Sequence, residues 1–202
     1  MTILADYEII KLCEEQQMIA PFERTSVKQL ENGTRILSKG VSSFGYDVSL
    51  AASLPSGESP IKIFTNQNAA IIDPKELDVN TLIDAIIHVN RDGTRYVILP
   101  PNSYLLGVTN EYFKVPQNVM IICVGKSTMA RAGCLCNTTP IEPGFEGNVV
   151  IELANATSLP MKIYLDEGIA QFMFFEGEPC HTSYADRKGK YMGQRGVTLP
   201  RV

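Results

Sequence analysis

The chain has 202 residues, of which 45% are hydrophobic and 20% charged, and its formal net charge is −4. These values predict a single globular domain spanning residues 1–202 with an apolar core, and the negative charge argues against a nucleic-acid-binding protein. No apolar run reaches the roughly 18 residues of a membrane span, and residues 1–20 lack a basic start followed by an apolar core, so neither a membrane span nor a signal peptide is expected. The five cysteines are odd in number and most have apolar neighbours, which indicates buried reduced thiols in a cytoplasmic protein.

The first half of the chain is predicted to contain a helix followed by short strands and loops. Residues 4–18 carry apolar side chains at helical spacing and predict an amphipathic helix. Alternation predicts a strand at residues 46–50, a polar loop with Pro and Gly follows at residues 51–60, and residues 61–64 form a second short strand. The apolar residues within 77–89 predict a short helix.

The second half of the chain is predicted to be mostly β-structure. Residues 90–94 contain an Asp-Gly pair, which is a hairpin turn signal. The apolar segments that follow, separated by Pro and Gly, are the predicted strands 96–99, 103–108, 119–124, 147–154, 161–165 and 169–175. Many short strands at close spacing indicate an all-β barrel or sandwich rather than alternating β and α units.

Residues 125–133, with the sequence GKSTMARAG, form the first candidate site. Two cations, Lys126 and Arg131, lie where a strand gives way to a short helical turn that Ser127 or Thr128 can cap. Free N–H groups at such a turn bind anions, and the spacing returns Arg131 to the side of Lys126. The spacing of a P-loop is missing, and a surface turn with two solvated cations is the alternative interpretation.

Glu152 is the second candidate. Strand alternation places Val149, Ile151 and Leu153 on one face and Glu152 on the other. A partly buried carboxylate at this position would have a raised pKa and could act as a general base. From alternation alone, an exposed glutamate on a solvated strand face is the more common outcome.

Two further segments carry candidate residues. The Pro-Gly turn within residues 141–147 can direct Glu142 into a pocket, although an ordinary hairpin fits the same pattern. Residues 184–202 contain five Lys or Arg and one Asp, so this segment carries +4 and the rest of the chain −8. Such a basic tail is either a disordered end or a lid that orders over an anion, and the interleaved Tyr184 and Tyr191 favour the lid.

The ligand patterns of zinc enzymes are missing from the sequence. Zinc-dependent base deaminases hold the metal with a His-x-Glu segment and a Pro-Cys-x-x-Cys segment. Neither His88 nor His181 begins a His-x-Glu segment. Cys180 lacks a second cysteine at the required spacing, and Cys134 and Cys136 are too close together for a usual zinc knuckle. No histidine lies near the candidate site in sequence, so a Ser-His-Asp triad is not expected. An enzyme with this sequence is therefore predicted to use Glu, Ser and Arg side chains without zinc.

These segments, taken in their order along the chain, resemble the motifs of the dCTP deaminases of the dUTPase-like superfamily. Residues 125–133 match the family's Gly-Arg/Lys-Ser-Ser/Thr-x-x-Arg-x-Gly motif, residues 142–147 its acidic Pro-Gly turn and residues 150–153 its glutamate-bearing strand. Residues 183–200 also resemble the family's C-terminus. The resemblance covers most of the chain and is strongest over residues 96–202.

The resemblance implies both a fold and an activity. The implied fold is mainly β, a distorted β-barrel or jelly-roll of the dUTPase-like type, with a short N-terminal helix, small peripheral helices and a C-terminal lid at residues 184–202. The implied assembly is a homotrimer with active sites between subunits. The implied reaction is hydrolysis of dCTP to dUTP and ammonia, which supplies dUTP for dUMP and dTTP synthesis. Mg²⁺ would bind through the triphosphate, and the family makes feedback inhibition by dTTP plausible.

The resemblance also implies roles for individual residues. Glu152 would be the general base and acid, while Ser127 and Arg131 would hold the attacking water and polarise the cytosine ring. Glu142 would lie near the sugar 3′-hydroxyl, where many members carry Asp instead. The implied substrate-binding residues are Lys126, Ser127, Thr128, Met129, Ala130, Arg131, Glu142, Val150, Ile151, Glu152, Gln171, Tyr184, Lys190 and Gln194.

Within that set, the backbone and the tail would serve different parts of the nucleotide. Val150 and Ile151 match backbone positions that read the pyrimidine. Tyr184, Lys190 and Gln194 match tail residues that close over the phosphates. Two alternatives share the same motifs: a bifunctional enzyme that also cleaves the triphosphate to give dUMP and pyrophosphate, and a non-catalytic nucleotide-binding regulator on the same fold.

Overall fold

The computed structural model describes residues 1–65 and 71–201, and in these residues β-strands predominate. The helices are α1 (Asp6–Gln16), a 3₁₀ turn (Val79–Thr81) and α2 (Ser127–Arg131). The strands are β1 (Thr2–Ile3), β2 (Ile19–Ala20), β3 (Val27–Gln29), β4 (Arg35–Ser42), β5 (Gly45–Ser49), β6 (Ile61–Phe64), β7 (Leu82–Asp84), β8 (His88–Val89), β9 (Arg95–Leu99), β10 (Tyr104–Lys114), β11 (Val119–Gly125), β12 (Cys134–Cys136), β13 (Glu146–Asn155), β14 (Met161–Tyr164) and β15 (Gly168–Glu176). The predicted class, mainly β with a short N-terminal helix and small peripheral helices, is confirmed.

Helix α1 confirms the N-terminal prediction and is two residues shorter at each end than residues 4–18. Its first turn is stabilised by the Glu8 carboxylate, which accepts a hydrogen bond of 2.8 Å from the N–H of Ala5. It buries Ile9 and Cys13 against the core. Within residues 1–65 and 71–201, no helix has the length and apolar character needed to cross a membrane.

The strands pair into three sheets. One contains β1, β15, β5, β4 and β3 in that order, and β11 also pairs with β15. The second contains β12, β13, β10, β6 and β7, and β2 also pairs with β10. The third contains β14, β9 and β8. The large inward-facing side chains of the first two sheets form one apolar core, which includes Tyr46, Phe113, Phe172 and Phe174, all fully buried.

The antiparallel pair of β10 and β13 forms the centre of the second sheet. Register runs from Tyr104 opposite Ala154 to Lys114 opposite Glu146, with a shift between Val108 and Tyr112. A shift of this kind bends the strand and changes the direction of the side chains that follow. The pair is the framework on which the candidate site is built.

The prediction of a short helix within residues 77–89 is wrong. This segment instead forms the 3₁₀ turn and the strands β7 and β8. Strand β7 pairs with β6, which places Ile83 opposite Ile63. Ile83 and Ile86 are exposed while Leu82 is buried, so the apolar residues never share one helical face. Pairing with an available strand edge therefore outweighs the local helical pattern.

Candidate active site

Glu152 projects from the face of β13 opposite the core, as strand alternation predicts. Val149, Ile151 and Leu153 are buried in the apolar core. Glu152 lies on the other face, where it is half-buried and lines a cavity of about 850 Å³. The exposed alternative that alternation allowed is therefore wrong, because neighbouring strands and the C-terminal segment cover this face.

The carboxyl group of Glu152 has an environment that favours proton uptake. Burial raises the pKa of this carboxyl to about 7, although a hydrogen bond with the Thr138 hydroxyl opposes this change. Its Oε2 atom is buried and has no hydrogen-bond partner among the described residues. A buried oxygen without a partner is costly unless a ligand or water binds it, so this atom is available to a reactant.

The cavity is assembled from three parts of the chain: the strands around Glu152, the segment after β12, and the C-terminal tail. Aromatic and aliphatic side chains make up much of its wall, and charged side chains from the tail also line it. Its lining residues are Phe64, Tyr104, Leu106, Thr138, Thr139, Pro140, Ile141, Glu142, Phe145, Val149, Val150, Glu152, Tyr184, Arg187, Lys188, Gly189, Lys190, Tyr191, Gln194, Thr198 and Pro200. A large, mostly apolar cavity with a few polar groups is typical of small-molecule sites.

The N–H and C=O groups of Val150 point away from the paired strand β10. Val150 lies opposite Val108 of β10. The N–H of Val108 donates to the carbonyl of Pro60, and its carbonyl accepts from the N–H of Ala51, so neither group bonds to β13. In an antiparallel ladder the two residues of such a pair both direct their N–H and C=O groups outward. The peptide groups of Val150 therefore lie along the outer edge of β13.

That outer edge is closed on both sides of Val150. At one end, the N–H of Asn148 donates to the carbonyl of Gln194 (2.9 Å), and the Gln194 side chain returns a bond of 2.7 Å to the Asn148 carbonyl. At the other end, the N–H of Glu152 donates to the Thr138 hydroxyl (3.4 Å). Val150, Gln194 and Thr138 all line the cavity. Between these two closed positions, the N–H of Val150 is available as a donor and its C=O as an acceptor for a flat ligand lying beside the Glu152 carboxyl.

The C-terminal segment lies over this cavity. The N–H of Tyr184 donates to the Pro143 carbonyl (2.8 Å), and the N–H of Tyr191 donates to the Tyr184 hydroxyl (3.0 Å). Glycine at position 147 permits the close approach, since a Cβ there would lie 3.1 Å from the nitrogen of Gln194. The structure describes the predicted lid through residue 201, residue 202 lies outside the described residues, and the role of this segment as a lid stays a prediction.

Cations from the tail line the cavity. Among the described lining residues are Arg187, Lys188 and Lys190, together with two carboxyl groups, those of Glu142 and Glu152. Arg187 and Glu142 form an exposed ion pair. Because the Glu152 carboxyl also holds its proton more strongly than usual, the lining is positive in a protein of net charge −4. This distribution favours an anionic ligand.

The N-cap of helix α2 lies one residue before the earlier of its two predicted positions. Lys126 is the N-cap, with extended backbone angles and no side-chain capping bond, so the predicted cap at Ser127 or Thr128 is wrong. Strand β11 continues through Gly125, which leaves Ser127 already inside the helix. Lys126 forms a largely buried ion pair with Asp47. The two cations of this segment therefore have different surroundings, because Arg131 is exposed.

The cavity brings together six of the fourteen residues predicted to bind substrate: Glu142, Val150, Glu152, Tyr184, Lys190 and Gln194. The other eight, Lys126 to Arg131, Ile151 and Gln171, do not line it. Met129 and Ile151 are core residues, and the Gln171 side chain donates to the hydroxyl of Ser42 (2.9 Å). Their predicted roles are not tested by the geometry of one chain.

Sequence reasoning missed several residues of the cavity. Two of them interact with the Glu152 carboxyl: the Thr138 hydroxyl lowers its pKa, and its charge in turn helps to raise the pKa of Tyr104. Thr138 lies in a polar segment between β12 and Pro140, and nothing in the local sequence indicates that it contacts Glu152. For Arg187 and Lys188, the basic composition of the tail was the sequence feature that could have identified them as cavity residues.

Known proteins resemble this chain over its whole length. A family model described as dCTP deaminase-like matches residues 3–177. Proteins named dCTP deaminase from Alcanivorax borkumensis and Halorhodospira halophila are each 49% identical to it, over 100% of both chains. The crystal structure of 2′-deoxycytidine 5′-triphosphate deaminase from Agrobacterium tumefaciens has the same fold, with a TM-score of 0.61 and 16% identity over 88% of this chain and 49% of that one. This chain belongs to the dCTP deaminase-like family.

Proposed function

We propose that this protein hydrolyses the 4-amino group of dCTP, giving dUTP and ammonia. The observation that carries the proposal is the Glu152 carboxyl, which has a pKa of about 7 and a buried oxygen without a partner among the described residues, and which lines a cavity together with three cations. Full-length similarity to proteins named dCTP deaminase supports the substrate. The product would feed dUMP and dTTP synthesis in the cytoplasm.

Glu152 acts as base and then as acid. Its carboxylate takes a proton from water, and the resulting hydroxide adds to C4 of the cytosine ring. Glu152 then passes the proton to N3, which gives a neutral tetrahedral adduct. Transfer of the hydroxyl proton to the amino group releases ammonia and leaves the C4 carbonyl of dUTP. A pKa near neutrality suits a group that must both accept and donate this proton.

The outer edge of β13 holds the pyrimidine. The N–H and C=O of Val150 match the alternating acceptor and donor groups along the edge of a cytosine ring. Thr138 and Gln194 occupy the flanking positions on the same edge, so they limit where the ring can lie. The ring then presents C4 to Glu152, which projects from the same face of the strand as Val150.

The tail and a neighbouring subunit complete the site around the phosphates. Arg187, Lys188 and Lys190 approach the triphosphate, which enters as its Mg²⁺ complex. In one chain, Ser127 and Arg131 lie outside the cavity that holds Glu152. We therefore assign them to the site of an adjacent copy in a homotrimer, where they hold the attacking water and polarise the ring. Glu142 binds the sugar hydroxyl after releasing Arg187.

The test is a product assay with purified protein and dCTP–Mg²⁺. Equal amounts of dUTP and ammonia are expected, without pyrophosphate. Formation of dUMP and pyrophosphate would instead identify the bifunctional enzyme. Nucleotide binding without any ammonia release would identify a non-catalytic regulator. Adding dTTP to the same assay tests feedback inhibition, which should appear as reduced turnover of dCTP.

A further inference from the structure

Two cysteines from different sheets lie side by side behind the Glu152 carboxyl. Cys123 on β11 and Cys136 on β12 are both half-buried, and their sulfur atoms are 3.6 Å apart. Strand β11 pairs with β15 and β12 pairs with β13, so the two thiols approach across the boundary between the two sheets. This pair takes no part in the proposed deamination, yet its position is close to that reaction.

A short series of contacts connects this cysteine pair to Glu152. The sulfur of Cys136 lies 3.7 Å from the hydroxyl oxygen of Thr138. That same hydroxyl accepts the N–H of Glu152 (3.4 Å) and interacts with its carboxyl group. Cys136 thus contacts a hydroxyl that bonds to the backbone of Glu152 and lowers the pKa of its carboxyl.

The two thiols differ in their readiness to react. The hydrogen bond from Cys123 lowers the pKa of Cys136, and burial opposes this change. The same interaction raises the pKa of Cys123, and burial raises it further. Cys136 is therefore the more readily ionised thiol of the pair, and Cys123 is the neighbouring thiol. A thiolate with a neighbouring resolving thiol is the arrangement that exchanges with disulfides.

We infer that Cys123 and Cys136 form a reversible regulatory disulfide, made by exchange with low-molecular-weight disulfides such as oxidised glutathione, that switches off the reaction at Glu152. The Cys136 thiolate attacks one sulfur of the oxidant and releases one thiolate. Cys123 then loses its proton to solvent and attacks the mixed disulfide, which releases the second thiolate. Starting from one thiolate and one thiol, the protein loses two electrons and one proton, and the oxidant is reduced to two thiolates, which take up protons from solvent.

Formation of this bond requires movement at the active site. A disulfide has a sulfur–sulfur distance of about 2.0 Å, so the two sulfurs must approach by roughly 1.5 Å. Rotation of the Cys136 side chain towards Cys123 takes its sulfur away from the Thr138 hydroxyl. Thr138 then has no fixed partner on that side, and the Glu152 carboxyl loses its orientation towards the ring.

The first test asks whether the bond forms, and it does not depend on the proposed function. The full-length protein is incubated with oxidised glutathione and digested without reduction, and its peptides are mapped by mass spectrometry. A peptide linking Cys123 to Cys136 is expected, which dithiothreitol removes. In the Cys123→Ser variant, a glutathione adduct should accumulate on Cys136. Absence of the linked peptide, with both cysteines recovered as free thiols, would overturn the inference.

The second test asks whether the bond controls turnover, and this part rests on the proposed deamination. Oxidation should lower the rate of ammonia release from dCTP by about tenfold or more, and dithiothreitol should restore it. The Cys180→Ser variant should respond to oxidation like wild type, whereas the rate of Cys123→Ser/Cys136→Ser, whatever its value, should be the same before and after oxidation. Equal inhibition of that double variant would overturn the regulatory role. A linked peptide in a protein that never deaminates dCTP would refute the proposed function alone.

Discussion

Two glutamates in the central strand pair differ in what surrounds them. Glu111 on β10 is 3% exposed, and burial raises the pKa of its carboxyl to about 7, the same value as for Glu152 on β13. The N–H and hydroxyl of Ser49 donate to Glu111 at 2.9 to 3.2 Å. Glu152 instead has an oxygen without a partner and faces a cavity of about 850 Å³.

Burial has different consequences at these two glutamates. In both places, removal of water disfavours the carboxylate and raises the pKa. At Glu111 the hydrogen bonds are internal, so the group contributes to structure and gives no reactant access. At Glu152 an oxygen is left for a ligand, and the raised pKa becomes useful in proton transfer. A raised pKa therefore marks a catalytic group only together with access and an unmet hydrogen bond.

The largest expected effect comes from removing the acid–base function of Glu152. Glu152→Gln should lower kcat for ammonia release by about 100- to 10,000-fold, because general acid–base catalysis contributes on this scale. Binding of dCTP, measured by calorimetry, should persist. Glu111→Gln is the matched control and should keep kcat close to wild type. Equal losses of kcat in the two variants would show that burial of the carboxyl, and not its access to the cavity, determines the effect.

The second expected effect comes from removing the tail, which lines the cavity that the Glu152 carboxyl faces. A chain that ends at Ser183 should lose about 100-fold or more in kcat/KM, since misplacement of bound substrate costs on this order. A chain that ends at Pro200 keeps every cavity-lining residue and is the control. Full activity in the shorter chain, with an unchanged thermal midpoint, would refute the lid.

The third expectation concerns the division of the Glu152 site between subunits. Glu152→Ala and Arg131→Ala proteins should each be inactive in ammonia release. If one site takes Glu152 from one copy and Arg131 from another, mixed trimers should recover about one quarter of wild-type activity, because that fraction of sites contains both native residues. Refolding the two variants together provides the mixture. No recovery, in trimers shown to contain both chains, would place the two residues in one subunit.

The fourth expectation uses the pH dependence of turnover. Since the base form of Glu152 must be ionised, kcat/KM should fall about tenfold per pH unit below its pKa of about 7. Thr138→Val removes the hydrogen bond that lowers this pKa, so the fall should begin at higher pH. Thr139→Val changes a neighbouring lining residue and should leave the midpoint in place. An identical midpoint in Thr138→Val would contradict the role of this hydroxyl.

The sequence predicted most of the strands and the outward direction of Glu152 because both depend on local alternation. The boundaries of β11, β13 and β15 differ from prediction by at most one residue at either end. The helix predicted within residues 77–89 was wrong because its outcome depended on a distant strand edge, that of β6. Local patterns define an element's period, and tertiary pairing decides between competing elements.

The site was less predictable, since it is formed by residues that meet only after folding. Ordered motifs identified Glu152 and the tail, but no local pattern connects Thr138 to a carboxyl 14 residues later. The ion pair of Lys126 with Asp47 spans 79 residues and removes one predicted cation from solvent. Glu111 carried no motif at all, and only its burial and its bonds to Ser49 identify it.

The smallest expected effect on activity, and the clearest on stability, concerns Glu111. Its folded pKa of about 7 exceeds the ordinary value of 4.5, so its contribution to stability is fully present below about pH 4.5 and is lost as pH rises through 7. The full loss is about 3 kcal/mol, because a tenfold difference in proton affinity between the folded and unfolded states corresponds to roughly 1.4 kcal/mol.

Glu111→Gln removes this titration, so its urea unfolding free energy should fall less than that of wild type between pH 5 and pH 8, at matched protein concentration. Glu152 and Glu167, whose carboxyl pKa values are also raised, titrate in both proteins and cancel in the difference. Parallel pH profiles would mean that Glu111 stays ionised or hydrated. An internal role for Glu111 would then fail, and the contrast with Glu152 would rest on access to the cavity alone.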